Sequence, residues 1–203
     1  MALRLYTSAC YQSLNAPLRD KQRTRPHPFP TTIALIDKAI RQLRVENSSA
    51  PTEEVTLWRG TSQPPPTLTP DAPNALRSPA SQGCCLTRRP CGCSCHAGLV
   101  DTEVPHSFLS LGGTERAPMS TTTRLDVAVQ YALTNTKLRT GLLMKLPTSS
   151  FMERGASLDF LSCFPLEAEV LFPPLTYLRP KASVQTLMVR DVKFIVVEVS
   201  PKL

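Results

Sequence analysis

Between residues 62 and 105 the chain holds eight of its 20 prolines and five of its seven cysteines, with no sustained hydrophobic period. Proline fixes φ and removes a backbone donor, so such a stretch forms neither a long helix nor a central strand. A run of about forty residues without periodic pattern does not make a core element of a compact domain. Any core must therefore come from the segments on either side. We read one domain over 1–203, interrupted by a Cys/Pro-rich, disordered insertion at 62–104.

Those flanking segments suffice. The chain has 203 residues, 41% apolar and 19% charged, a globular balance with enough apolar side chains for one core. No stretch approaches the ~20 apolar residues of a membrane span. Residues 1–10 lack the apolar centre of a secretory signal, and their arginines resemble a transit peptide only weakly. With seven cysteines and no export signal, a reducing cytoplasm is the expected compartment. The net charge of +7 gathers at the start, where Arg4, Arg19, Lys21, Arg23 and Arg25 face Asp20 alone. That balance suits an anionic ligand. No basic motif interleaved with aromatics accompanies it, so neither nucleic acid nor membrane is expected as a partner.

Tyr11, Leu14 and Leu18 give residues 5–19 one apolar stripe at helical period. A second helix, capped by Thr31 or Thr32, carries Ile33, Ile36, Ile40 and Leu43 on one face. Val55–Gly60 reads as a strand. Past the insertion, Leu125, Ala128, Val129, Ala132 and Leu133 mark a third helix, with Thr123 and Asp126 as its capping box. Strands follow at 142–146, around Glu167–Phe172 and at 175–178, and a hairpin joins 184–189 to 192–199 at Arg190-Asp191. Helices early and strands late predict an α+β fold.

Glu167 and Glu169 flank Ala168 where an apolar run, Val170-Leu171-Phe172, begins. Side chains at i and i+2 of a strand share a face, which puts both carboxylates on one surface roughly 6–7 Å apart. Like charges side by side on an apolar strand suit a group that grips a cation, or that stabilises one formed transiently. Two more polar stations precede them, Arg59 at the end of a strand before Gly60, and the hydroxyl run Ser120-Thr121-Thr122-Thr123. Each alone is ordinary, a surface ion pair or a helix cap.

In this order, within Leu57-Trp58-Arg59-Gly60, Gly112–Thr123 and Phe164-Pro165-Leu166-Glu167-Ala168-Glu169-Val170-Leu171-Phe172-Pro173-Pro174, they resemble the arginine–serine–glutamate class of mono-ADP-ribosyltransferases. The resemblance covers roughly 3–61 and 104–182. It implies an α+β core of two packed sheets forming an NAD cleft, and transfer of ADP-ribose from NAD+ to arginine side chains, without a metal. By the same resemblance Glu169 stabilises the cationic ribose, Glu167 orients or deprotonates the arginine acceptor, and Ser120 braces Glu169. Arg59, Gly60, Ser120 and Thr121 bind NAD+, and the segment 155–166, with Phe164, meets the acceptor protein. The enzyme is expected to be a monomer. Alternatives within the same fold are an NAD+ glycohydrolase and a non-catalytic interaction protein.

The chemistry is coherent. Nicotinamide leaves NAD+ as a neutral molecule and needs no general acid, unlike an ordinary glycoside's leaving group. A carboxylate near the oxocarbenium-like ribose lowers the barrier that remains. Cys84, Cys85, Cys91, Cys93, Cys95 and His96 offer zinc-type donors, but C-x-C-x-C-H lacks paired knuckles a dozen or more residues apart.

Overall fold

A computed structural model describes residues 1–47, 53–61, 104–133, 140–189 and 192–203. The cysteine cluster and the Arg190-Asp191 turn lie outside the described residues.

Three helices open the chain: α1 (Ala2–Tyr6), α2 (Tyr11–Arg19) and α3 (Pro30–Glu46). The single stripe expected over 5–19 is split, because the Thr7 and Ser8 hydroxyls bond back to the carbonyls of Arg4 and Leu5. Such local bonds give the backbone an alternative to helix. Neither Thr31 nor Thr32 caps α3, whose first residue is Pro30 and whose N-cap is Phe29, without a side-chain bond. Proline suits that position, since the N–H it lacks would have had no helical partner. The predicted face holds: Ile36 and Ile40 are fully buried, and Ile33 and Leu43 pack beside them against Leu3, Tyr6, Leu14, Leu158 and Leu171.

Among the described residues eight strands follow: β1 (Val55–Thr61), β2 (Gly113–Glu115), β3 (Met119–Thr122), β4 (Thr140–Thr148), β5 (Ala156–Ser157), β6 (Glu169–Phe172), β7 (Thr176–Val189) and β8 (Val192–Lys202). Two further helices, α4 (His106–Leu111) and α5 (Leu125–Leu133), lie between β1 and β4. The strands hydrogen-bond in the order β2-β7-β8-β4-β1-β3-β6-β5, with β4–β8 the parallel pair. Between β1 and β3 the register is the single pair Trp58↔Thr122, against seven pairs for β1–β4. The α+β fold thus has one mixed eight-stranded sheet among the described residues, whose two groups, β2-β7-β8-β4-β1 and β3-β6-β5, meet at one narrow seam.

The main core draws on both groups of strands. Leu57, Phe108, Met119, Leu146, Phe172 and Val197 belong to the largest core cluster. The three N-terminal helices cover β5 and β6. Helix α5 seats Ala128 and Ala132 against Leu143, Phe194 and Val196, leaving Leu125 and Leu133 exposed. At its start the expected Thr123–Asp126 box is replaced: Thr122 Oγ1 accepts from the Arg124 N–H at 2.9 Å, and Asp126 pairs with Arg124 at 2.6 Å. The hairpin pairs Val189 with Val192 as anticipated, but its first strand is continuous with 176–178, irregular in register between Pro180 and Val184. Proline, without an N–H to give the ladder, accounts for that irregularity. Among the described residues no helix is long and apolar enough to cross a membrane.

Candidate active site

The seam between the two groups of strands opens into a cleft of about 980 Å³, at the large end of small-molecule sites. Arg59, Gly60, Ser120, Thr121, Glu167 and Glu169 all border it. Segments far apart in the chain thus converge there, with β1 supplying Arg59, β3 supplying Ser120, and the turn before β6 leading in the carboxylates.

The carboxylates converge by a different route from the one expected. They do not alternate along one strand: Glu167 ends a 3-10 turn at Pro165–Glu167, and β6 begins only at Glu169. Between them Ala168 has φ 45° and ψ 54°, the left-handed region that an L-residue enters at a cost. That reversal turns Glu167 back over the same cleft. Its turn is tied to the β3–α5 junction by Thr122 Oγ1 donating to the Glu167 carbonyl (2.5 Å), Arg124 Nη1 to the Leu166 carbonyl (2.9 Å) and the Thr123 N–H to the Ala168 carbonyl (3.4 Å). The Tyr131 phenol of α5 donates to Glu167 Oε1 at 2.8 Å.

Glu169 is 7% exposed, far more enclosed than Glu167. Its burial raises its pKa, the charge of Glu167 adds to the rise, and a hydrogen bond from the Ser120 hydroxyl opposes it. Register explains the bond: Thr122 lies opposite Glu169 and Ser120 opposite Leu171, so Ser120 is its diagonal neighbour across the ladder. Thr121 also borders the cleft, but its hydroxyl donates to the Val170 carbonyl at 2.7 Å.

Also lining the cleft, Arg59 donates to the Ser120 carbonyl (3.0 Å) and to Glu115 Oε2 (3.3 Å). Arg19 of α2 takes Glu115 from its other side, Nε to Oε1 at 3.0 Å. Burial lowers the pKa of Arg59 and Glu115 holds it up. One glutamate between two arginines leaves a local charge of +1. Gly60 serves packing first: a Cβ there would lie 1.8 Å from the Ala128 carbonyl oxygen, so α5 and not a ligand demands the glycine.

Sequence patterns do not assign Arg19, Glu115 or Tyr131 to the site. Arg19 and Glu115 are 96 residues apart, and no local pattern pairs them. Tyr131 has a signal, a phenol at the edge of the apolar stripe of α5. Tyr6 fixes α1 and α2 to the wall before β3, donating to the Pro118 carbonyl and accepting from Asn15, each at 3.0 Å. Burial pushes its phenol up to about 12. Among the described residues no group of three His, Cys, Asp or Glu side chains is placed to hold a metal ion.

The architecture recurs in solved structures. The chain is similar to Plx2a, an ADP-ribosyltransferase toxin from Paenibacillus larvae, with TM-score 0.59 and 19% identity over 100% of this chain and 84% of that one. It is similar to the C3 exoenzyme of Clostridium limosum, with TM-score 0.55 and 16% identity over 98% and 83%. A mutant of the eukaryotic mono-ADP-ribosyltransferase ART2.2, solved with NADH, gives TM-score 0.55 and 15% identity over 99% of this chain and 64% of that one. No family model and no curated protein sequence matches the chain.

Proposed function

We propose that this chain, whose fold is that of the mono-ADP-ribosyltransferases, transfers ADP-ribose from NAD+ to an arginine side chain of an acceptor protein and releases nicotinamide. One observation carries the reading. A buried carboxylate, Glu169, braced by the Ser120 hydroxyl, shares a cleft with a two-arginine station of net positive charge. A dinucleotide needs both: cations for its pyrophosphate and an anion for the ribose that becomes cationic as nicotinamide departs.

The two ends divide the work. Arg59 and Arg19, both already oriented by Glu115, hold the pyrophosphate and so fix the substrate's register in the cleft. Gly60 and Thr121 form wall around it, Gly60 through its backbone. Glu169 faces the ribose and stabilises charge that exists only near the transition state. Glu167, half-exposed on its turn, meets the acceptor, whose guanidinium fork matches a carboxylate with two parallel hydrogen bonds. A single domain carries all of these residues, with 62–104 as an insertion between its two sequence blocks.

Incubation with NAD+ labelled in its adenylate half, alongside arginine-, asparagine- and cysteine-bearing peptides, tests this. Label on the arginine peptide with equimolar nicotinamide is expected. Label on another side chain refutes the arginine assignment, and no cleavage refutes the enzyme. Arg19→Ala leaves the Arg59–Glu115 pair in place but removes the surplus positive charge. Its KM for NAD+ is expected to rise about ten-fold, the loss of one charge-assisted contact, with kcat little changed. Steady-state kinetics of nicotinamide release measure it.

A further inference from the structure

Glu167 stands on a turn, not on a strand, and its carboxylate is half-exposed. A glutamate so placed ordinarily samples several rotamers and loses entropy when it settles in one. Here it does not stand alone. Tyr131 Oη donates to its Oε1 at 2.8 Å, and among the described residues Oε2 has no hydrogen-bond partner. The donor is held by a rigid support. Ala128 and Ala132, on either side of Tyr131 in α5, are fully buried, and the α5 backbone lies so close on β1 that no Cβ fits at Gly60. The turn itself is pinned by Thr122 and Arg124. Backbone and side-chain tip of Glu167 are thus fixed by two independent anchors.

We infer, resting on the reaction proposed above, that Tyr131 is a positioning residue that favours transfer to a guanidine over hydrolysis by water, by holding the Glu167 carboxylate over the cleft with Oε2 and the second lone pair of Oε1 open to the acceptor's fork. In that step the guanidinium gives one N–H proton to Glu167, and the nitrogen so freed bonds to the ribose carbon that carried nicotinamide. The bond to nicotinamide breaks, and its electron pair leaves with the neutral ring. The product is a substituted guanidinium, so charge balances. Water attacking the same carbon meets Glu169 and has no fork to be aligned. Loss of the Tyr131 hydroxyl therefore weighs on transfer more than on hydrolysis. Partial burial, first, and then the bond to Glu167 raise the pKa of the Tyr131 phenol, which keeps it a donor throughout the neutral range.

Tyr131→Phe removes the hydroxyl and keeps the ring. With agmatine as a small guanidine acceptor, the ratio of transfer to hydrolysis is expected to fall about ten-fold, the loss of one hydrogen bond to a charged group. An unchanged ratio, with transfer and hydrolysis falling together, indicates a merely structural tyrosine and overturns the inference. The contact is also read without catalysis, on protein carrying 13Cζ-labelled tyrosine. The Tyr131 resonance is expected to shift as the carboxylates are protonated, and Glu167→Gln is expected to remove the larger part of the shift, leaving only the weaker influence of Glu169. If wild type shows no such step, the inference fails whatever the activity. If wild type cleaves no NAD+ while the step is present, the proposed reaction is what fails.

Discussion

Replacing Glu169 with glutamine is expected to reduce nicotinamide release from NAD+ by 10²-fold or more, in line with removal of one preorganised charge from a developing cation (roughly 10²–10³-fold). The shape of the side chain is kept and only its charge is lost. Stability moves the other way. Burial holds the pKa of Glu169 above its unfolded value, so the stability linked to this group is present in acid and lost as pH rises through the folded value. Glutamine has no charge to bury, and the variant is expected to be at least as stable as wild type at neutral pH. A loss of activity with no loss of stability separates chemistry from unfolding. The acid limb of activity should also lie above the ordinary carboxylate range, because catalysis needs the ionised form. Ser120→Ala removes the hydrogen bond that lowers that pKa, and the limb is expected to move to still higher pH. A pH profile of kcat/KM reads both effects.

Gly60→Ala is expected to cost about 3 kcal/mol of stability, the upper part of the range for overpacking a close-packed contact. The added methyl would lie 1.8 Å from the Ala128 carbonyl oxygen and 2.7 Å from the Ala132 nitrogen. Both are backbone atoms, so no rotamer change relieves the clash. Helix α5 would have to move off β1, taking Tyr131 away from Glu167 and disturbing the strand that carries Arg59. The urea midpoint measures the first consequence and nicotinamide release the second. A loss below about 1 kcal/mol would show that α5 yields easily and that its seat on β1 is not what holds the site.

The sequence makes some of this legible and hides the rest for identifiable reasons. Helix α3 follows directly from apolar spacing, since it buries one regular face, and strands β1, β4 and β8 read as apolar runs because one face meets the main core and the other meets α5. Arg59, Ser120, Glu167 and Glu169 stand out as a group, and all four border one cleft. How the carboxylates reach it is not encoded in their spacing. Spacing alone favours strand alternation, and only the left-handed Ala168, held by bonds from Thr122, Thr123 and Arg124, replaces it with a turn. The Arg19–Glu115–Arg59 bridge joins α2, β2 and β1, so it exists only once the helices have docked on the sheets. Beside Arg59, the glycine at 60 suggests room for a ligand. The atoms its Cβ would meet belong to α5 instead, a contact that no single-segment pattern encodes.

The proposed reaction gives two carboxylates, separated only by Ala168, unequal work. In the reaction proposed above the enclosed Glu169 stabilises the ribose cation, while the half-exposed Glu167 decides where the ADP-ribose goes. The direct test is product partition in Glu167→Gln, measured beside wild type with saturating NAD+ and an arginine peptide. The account predicts that nicotinamide release persists within a few-fold as hydrolysis, while peptide ADP-ribosylation falls about ten-fold or more, the loss of a charged acceptor contact. Peptide modification that survives undiminished, or hydrolysis and transfer lost together, would contradict it.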